Sequence, residues 1–125
     1  MEYKVCDSCG SNHNIELHHI IFRSHASYMS NIKINFKYLC GECHRGSNGP
    51  HRNRDVDIKY KLELQKRIFE LFEDKEYYTQ KQIKDKLDCS SNEINKIVKK
   101  LLLHKEGYNK LDIIIRLMGN RLYAV

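Results

Sequence analysis

The stretch Ile15–Arg23, IELHHIIFR, sets two adjacent histidines in the middle of a run of branched apolar residues. Branched side chains favour an extended backbone, and neighbours on a strand point to opposite faces. His18 and His19 therefore cannot share one environment. Each needs partners of its own, because an imidazole buried without them loses the hydration of its ring nitrogens.

The pair is bracketed by two C-x-x-C motifs, Cys6/Cys9 and Cys40/Cys43, while a fifth cysteine, Cys89, stands alone downstream. Each motif forms a tight turn that can aim two thiolates at one ion, and four thiolates complete a tetrahedral zinc site. A site closed in this way keeps no open position for chemistry. Its expected role is to clamp the N-terminus onto the turn after a second strand at Phe36–Leu39. Cys89 is expected to pack as a small apolar residue. The first residues contain no apolar leader, and no window reaches the length needed to span a bilayer. We therefore expect an intracellular, cytoplasmic protein, where cysteines serve metals rather than disulfides.

The chain has 125 residues, enough for one domain or two very small ones. It is 41% hydrophobic without a single tryptophan, so its core is small and a metal staple would help it. The formal charge is +6. Residues 1–58 hold seven basic and six acidic side chains, and residues 59–125 hold fifteen and ten. The cationic excess of the second half suits a polyanion, above all nucleic acid, bound through counterion release.

Residues 1–54 lack a sustained helical period, and their apolar runs at Ile15–Phe22 and Phe36–Leu39 read as short strands. After His51 the texture changes. DVDIKYKLELQKRIFELFEDK predicts an amphipathic helix with Ile58, Leu62, Phe69 and Phe72 on one line and Leu64, Ile68 and Leu71 beside it. Thr79/Gln82 and Ser90/Glu93 stand in capping-box spacing at the start of two further helices, separated only by Asp88 and Cys89. This predicts a tight helix-turn-helix packed through Ile83, Leu87, Ile94, Ile97 and Leu101. Its second helix carries Asn92, Asn95, Lys96, Lys99 and Lys100, residue types that contact bases and phosphates. Lys84, where a small residue is usual, and Asp88, where glycine is usual, depart from that motif; the competing reading is a helical cap with a solvated lysine face. A last helix is expected to end near Gly119 before a short apolar tail. The fold class is α+β, with a zinc-stapled unit at 1–75 and a small α-helical, helix-turn-helix-like region at 76–125.

Taken in order, His18-His19-Ile20, then Asn35, then LCGECH at Leu39–His44, the first unit resembles the HNH endonuclease family over about residues 6–72. HRGSNGPH followed by YKLELQ is similar to the version in small bacteriophage HNH proteins. The resemblance implies a ββα-metal (His-Me finger) core and hydrolysis of DNA phosphodiesters, in a bacterial or phage-infected cell. It assigns His18 to the catalytic ion and His19 to the general base, a task that suits a neutral imidazole with a pKa near ~6.5. Asn35, rather than the rival Asn31, would orient the loop and base through hydrogen bonds. His44 matches a ligand position. The next ligand commonly lies four residues on along one helix; here Gly46, Gly49 and Pro50 interrupt a helix. Either His51 returns through a loop or Asn48 substitutes, and His51 is favoured because imidazole is the better transition-metal ligand.

The resemblance implies Mg²⁺ or Mn²⁺ as the working ion, with Ni²⁺ or Zn²⁺ also accepted by an imidazole-rich site, and Zn²⁺ at the cysteines. Arg23, Arg45, Arg52 and Arg54 would line the groove for the DNA backbone; His13, His25 and His104 receive no role. The expected partner is double-stranded DNA, with no membrane and no small-molecule cofactor, and a homodimer is compatible with the sequence. The rival from another class is a non-catalytic zinc-containing DNA-binding protein, and an RNA-directed nuclease is a third reading.

Overall fold

In the computed structural model, which describes residues 4–124, strand β1 (Ile15–His19) pairs antiparallel with β2 (Phe36–Cys40). The register runs from Ile15 opposite Cys40 to His19 opposite Phe36. The first strand is shorter than its apolar run, which continues to Phe22. Asn35 ends it: Ile20 N–H donates to the Asn35 backbone carbonyl (2.9 Å) and Ile21 N–H to Asn35 Oδ1 (2.7 Å). The chain then crosses to β2 through two 3-10 turns, Ser27–Met29 and Lys33–Asn35.

Cys40 ends β2 and caps α1 (Gly41–Arg45), its sulfur accepting the Cys43 N–H at 3.4 Å. Helix α2 (Arg54–Leu71) starts at Asn53, whose Oδ1 accepts the amides of Asp55 and Val56. Its buried face is Tyr60, Lys61, Leu64, Gln65 and Ile68, continued by Phe72. Of the expected face, Leu64, Ile68 and Phe72 are buried, and the placement of Leu62 and Phe69 is corrected. Phe69 is 40% exposed and Leu62 half-buried, because the face turned to the hairpin lies one helical row away.

The C-terminal region is not purely helical, which corrects the expectation for residues 76–125. Strands β3 (Tyr77–Tyr78), β4 (Leu103–His104) and β5 (Gly107–Asn109) form an antiparallel sheet in the order β3-β5-β4. Gly107 makes this crossing possible: its φ is +128°, and a Cβ there would lie 2.6 Å from the Tyr78 carbonyl oxygen. Helices α3 (Gln80–Leu87) and α4 (Ser91–Val98) form the helix-turn-helix, and α5 (Lys110–Leu117) follows the sheet. Both expected caps are present, the first as a full capping box between Thr79 and Gln82, the second as Ser90 accepting the Glu93 amide. Ile83, Leu87, Ile94 and Ile97 are buried as expected.

One continuous core joins the two regions: Ile20, Met29, Ile32 and Leu39 belong to the same cluster as Ile83, Ile94, Ile113 and Leu117. Arg116 pins the joint. It is 8% exposed, donates to the carbonyls of Ile97 (2.9 Å) and Lys96 (3.0 Å), and stacks 3.5 Å from the Tyr28 ring centroid. The Tyr28 hydroxyl donates back to the Arg116 carbonyl at 2.7 Å. Among the described residues no helix is long and apolar enough to cross a membrane.

Candidate functional site

The four sulfurs of Cys6, Cys9, Cys40 and Cys43 all lie within 4.8 Å of one another, a donor set that fits a structural zinc. The N-terminal turn reaches them because it is tied to β2. Asp7 N–H donates to the Tyr38 carbonyl (2.7 Å) and Tyr38 N–H to Asp7 Oδ2 (2.9 Å). Amides of Ser8 and Cys9 point at Cys6 Sγ, each at 3.4 Å. Burial raises the Cys6 pKa, but backbone hydrogen bonds from Cys40, Cys9 and Ser8 outweigh it and bring the thiol down to about 6. Cys43 is pushed up to about 12 by burial and by hydrogen bonds with the other three cysteines. Four thiols this close do not all ionise together unless a cation compensates them.

A second cluster gathers His18, His44 and His51. His18 Nδ1 lies 3.2 Å from His44 Nε2, and His51 Nε2 lies 3.0 Å from the same atom. Three imidazole nitrogens each about 2.1 Å from one ion, at tetrahedral or octahedral angles, would stand roughly 3.0–3.4 Å apart. The spacing fits a shared cation. His18 is 1% exposed and its Nε2 is buried with no partner, so among the described residues its hydrogen-bonding contact is His44 alone. Burial, then the neighbouring His44 and His51 charges, lower its pKa to about 3 and keep it neutral, the form that ligates. Burial and His44 also lower the His51 pKa.

His51 reaches the cluster through a turn that only glycine permits. A Cβ at Gly49 would lie 2.4 Å from the His44 carbonyl oxygen, and Asn53 N–H closes the turn onto Gly49 O at 2.8 Å. Asn48, the alternative ligand, is exposed on that turn. Glu16, which the sequence reading passed over, orients His44: its Oε1 accepts the Nδ1 proton at 2.8 Å, leaving Nε2 with its lone pair free for a metal. Arg45 clamps the same carboxylate through Nε (3.0 Å) and Nη2 (2.8 Å). These bonds, Arg45's first, lower the Glu16 pKa. Arg45 thus buttresses the histidines through Glu16, while its side chain stays 64% exposed. Strand alternation was the available signal, since Glu16 and His18 share one face of β1.

His19 faces away from the cluster. Its ring packs edge-on against Phe36, and its Nε2 lies 2.8 Å from the Ser30 carbonyl oxygen. A carbonyl only accepts, so Nε2 carries the proton and Nδ1 keeps the lone pair. Because β1 ends there, His19 still borders the cleft of about 370 Å³ that His18, His44, His51 and Arg23 also line. Asn35 is fully buried and fixes this loop: besides accepting from Ile21, its Nδ2 donates to the carbonyls of Ile21 (3.1 Å) and Met29 (3.2 Å). Asn35→Ala strands the Ile21 amide and two carbonyls and is expected to cost roughly 3 kcal/mol of stability, read by denaturant melting. An unchanged midpoint would remove Asn35 from the framework.

Arg23, Arg52 and Arg54 are exposed. On α4 and just after it, Asn92, Asn95, Lys96, Lys99 and Lys100 are all exposed, and Asn95 Oδ1 accepts a hydrogen bond from Gln80 Nε2. Comparison with protein-family models, curated proteins and solved structures finds no match to this chain.

Proposed function

We propose that the chain is a metal-dependent endonuclease of the HNH kind that hydrolyses DNA phosphodiester bonds. The observation that carries this reading is the juxtaposition in one cleft of a three-histidine cluster and a fourth histidine, His19, with its Nδ1 lone pair free. A purely structural metal site has no use for a free imidazole beside its ligands. The order of β1, β2 and α1, with the histidine pair closing β1 and His44 on α1, supports the reading of a ββα-metal core.

In this reading His19 Nδ1 takes a proton from the attacking water while the Ser30 carbonyl holds the ring through Nε2–H. Asn35 acts as a positioning residue, holding the loop that supplies that carbonyl. Glu16 and Arg45 hold His44 with Nε2 toward the cleft. Arg23, at the rim, meets a phosphate oxygen. An ion held by His18, His44 and His51 would supply Lewis-acid stabilisation of the phosphate and the leaving 3′ oxygen. Three imidazoles without a carboxylate favour Mn²⁺, Ni²⁺ or Zn²⁺ over Mg²⁺, which prefers an all-oxygen shell. The helix-turn-helix, with Asn92, Lys96, Lys99 and Lys100, would deliver the chain to DNA.

The test is nicking of supercoiled plasmid by zinc-loaded protein with each ion added in turn. Nicking with Mn²⁺, Ni²⁺ or excess Zn²⁺ is expected. No cleavage with any ion, but retained DNA binding, would leave the non-catalytic DNA-binding reading in its place.

A further inference from the structure

A second cleft, of about 400 Å³, opens beside the metal cleft, and Phe22 lines both. Its walls are the N-terminal half of α2, the loop after β1 and the tail after α5. The tail is the segment to which the sequence reading gave no role. It reverses at Gly119 and Asn120, with φ of +78° and +72°. A side chain at 119 would also come within 3.0 Å of Ile21 Cγ2. Two reciprocal hydrogen bonds then fix the tail to α2: Gln65 Nε2 donates to the Tyr123 carbonyl (2.9 Å), and Tyr123 N–H donates to Gln65 Oε1 (2.8 Å). A tail tied down in this way is a built wall.

The cleft holds three cations, Arg54, Lys61 and Arg121, against one carboxylate, Asp57. Lys61 donates to Asp57 Oδ2 at 2.8 Å beneath the surface, their side chains 6% and 14% exposed, while Asp57 Oδ1 is buried without a hydrogen-bond partner. Lys61 also sits over the Phe22 ring, 4.3 Å from its centroid. That pair makes a neutral floor. The two arginines above it are exposed, and neither forms an ion pair among the described residues. Arg121 lies 4.5 Å from the Tyr123 ring centroid, a contact that limits its motion without neutralising its charge. Two unpaired guanidinium groups at the continuation of a phosphodiester-binding cleft suit a second phosphate.

We propose that this cleft holds the phosphate next to the scissile one on the same DNA strand, gripped by Arg54 and Arg121, with the strand crossing Phe22 between the two clefts. The inference rests on the nuclease reading for the identity of the strand, but its test does not depend on cleavage. Binding of a short fluorescent DNA duplex is measured by anisotropy, without added divalent ion, between 50 and 200 mM salt. Each lost phosphate contact on B-DNA flattens the dependence of log K on log salt by about 0.9. Arg121→Ala is expected to show that flattening and about five- to tenfold weaker binding at the low-salt end. Arg121→Lys should keep the slope, since an ammonium still neutralises one phosphate.

Arg54→Ala, on a different element, should repeat the alanine result. Wild-type slope and affinity in both alanine variants would overturn the proposal, as would a duplex that wild-type protein does not bind. Plasmid nicking reports separately on the metal cleft. Nicking with an unchanged Arg121→Ala slope refutes the second cleft alone, and a lowered slope without nicking refutes the nuclease alone.

Discussion

Replacement of His19 by alanine is expected to lower plasmid nicking by about 10²- to 10⁴-fold, the usual contribution of a positioned general base. The fold should barely notice. His19 gives the structure one hydrogen bond, to the Ser30 carbonyl, and an edge contact with Phe36. Losing them should cost about 1 kcal/mol. The cysteine cluster and His18, His44 and His51 are not bonded to it, so metal content should stay at the wild-type value. The contrast with His18→Ala is informative: that variant opens a buried position among Phe22, Tyr60 and the other two histidines and should lose the second ion together with activity. Nicking that survives His19→Ala at wild-type rate would remove His19 from the chemistry.

Loss of the structural zinc should have the largest effect on stability. The described chain before β1 has no helix or strand of its own; the four cysteines hold it in place together with the Asp7–Tyr38 hydrogen bonds, the Gly41 N–H on the Asn14 carbonyl and Lys4 over the Tyr38 ring. Structural zinc contributes about 10–16 kcal/mol in small zinc-dependent units, as much as the whole stability of a small domain. Cys40→Ser is the sharpest variant, because Cys40 Sγ is both a candidate ligand and the cap of α1. It should abolish zinc retention and cooperative melting, followed by atomic emission and circular dichroism. The continuous core makes the loss spread: Leu39 and Cys40 share a cluster with Ile94 and Leu117, so the C-terminal region should melt with the N-terminal one. A zinc-free Cys40→Ser protein with the wild-type melting curve would refute the staple.

Much of this arrangement was legible in the sequence, and each success has a local cause. The C-x-x-C spacing alone can aim two thiolates at one ion, and the Thr79 capping box and the Ser90 cap are each satisfied within one helical turn. Strand alternation separated His18 from His19. What escaped depended on distant partners. Strands of two or three residues at Tyr77–Tyr78, Leu103–His104 and Gly107–Asn109 are too short for a period to register, and they exist because Gly107 lets β5 lie against Tyr78. On α2, Leu64, Ile68 and Phe72 are buried as expected, but Leu62 and Phe69 are not, because Tyr60, Lys61 and Gln65 fill the rest of the buried face through their stems. Glu16 stood inside the opening stretch beside the histidines, yet its bond to His44 spans 28 residues of chain. The bond of Arg45 to the same carboxylate spans a similar length of chain.

If IELHHIIFR divides its two histidines between an ion and a water, activity should follow one particular metal. The most direct measurement titrates Mn²⁺ or Ni²⁺ into protein that already holds one zinc at its cysteines, recording bound ion and plasmid nicking on the same samples. A second ion is expected to bind in wild-type and His19→Ala protein but not in His44→Ala, with nicking rising in proportion to it in the wild type only. Full occupancy of the second ion without nicking, or nicking undiminished in His44→Ala, would contradict that division.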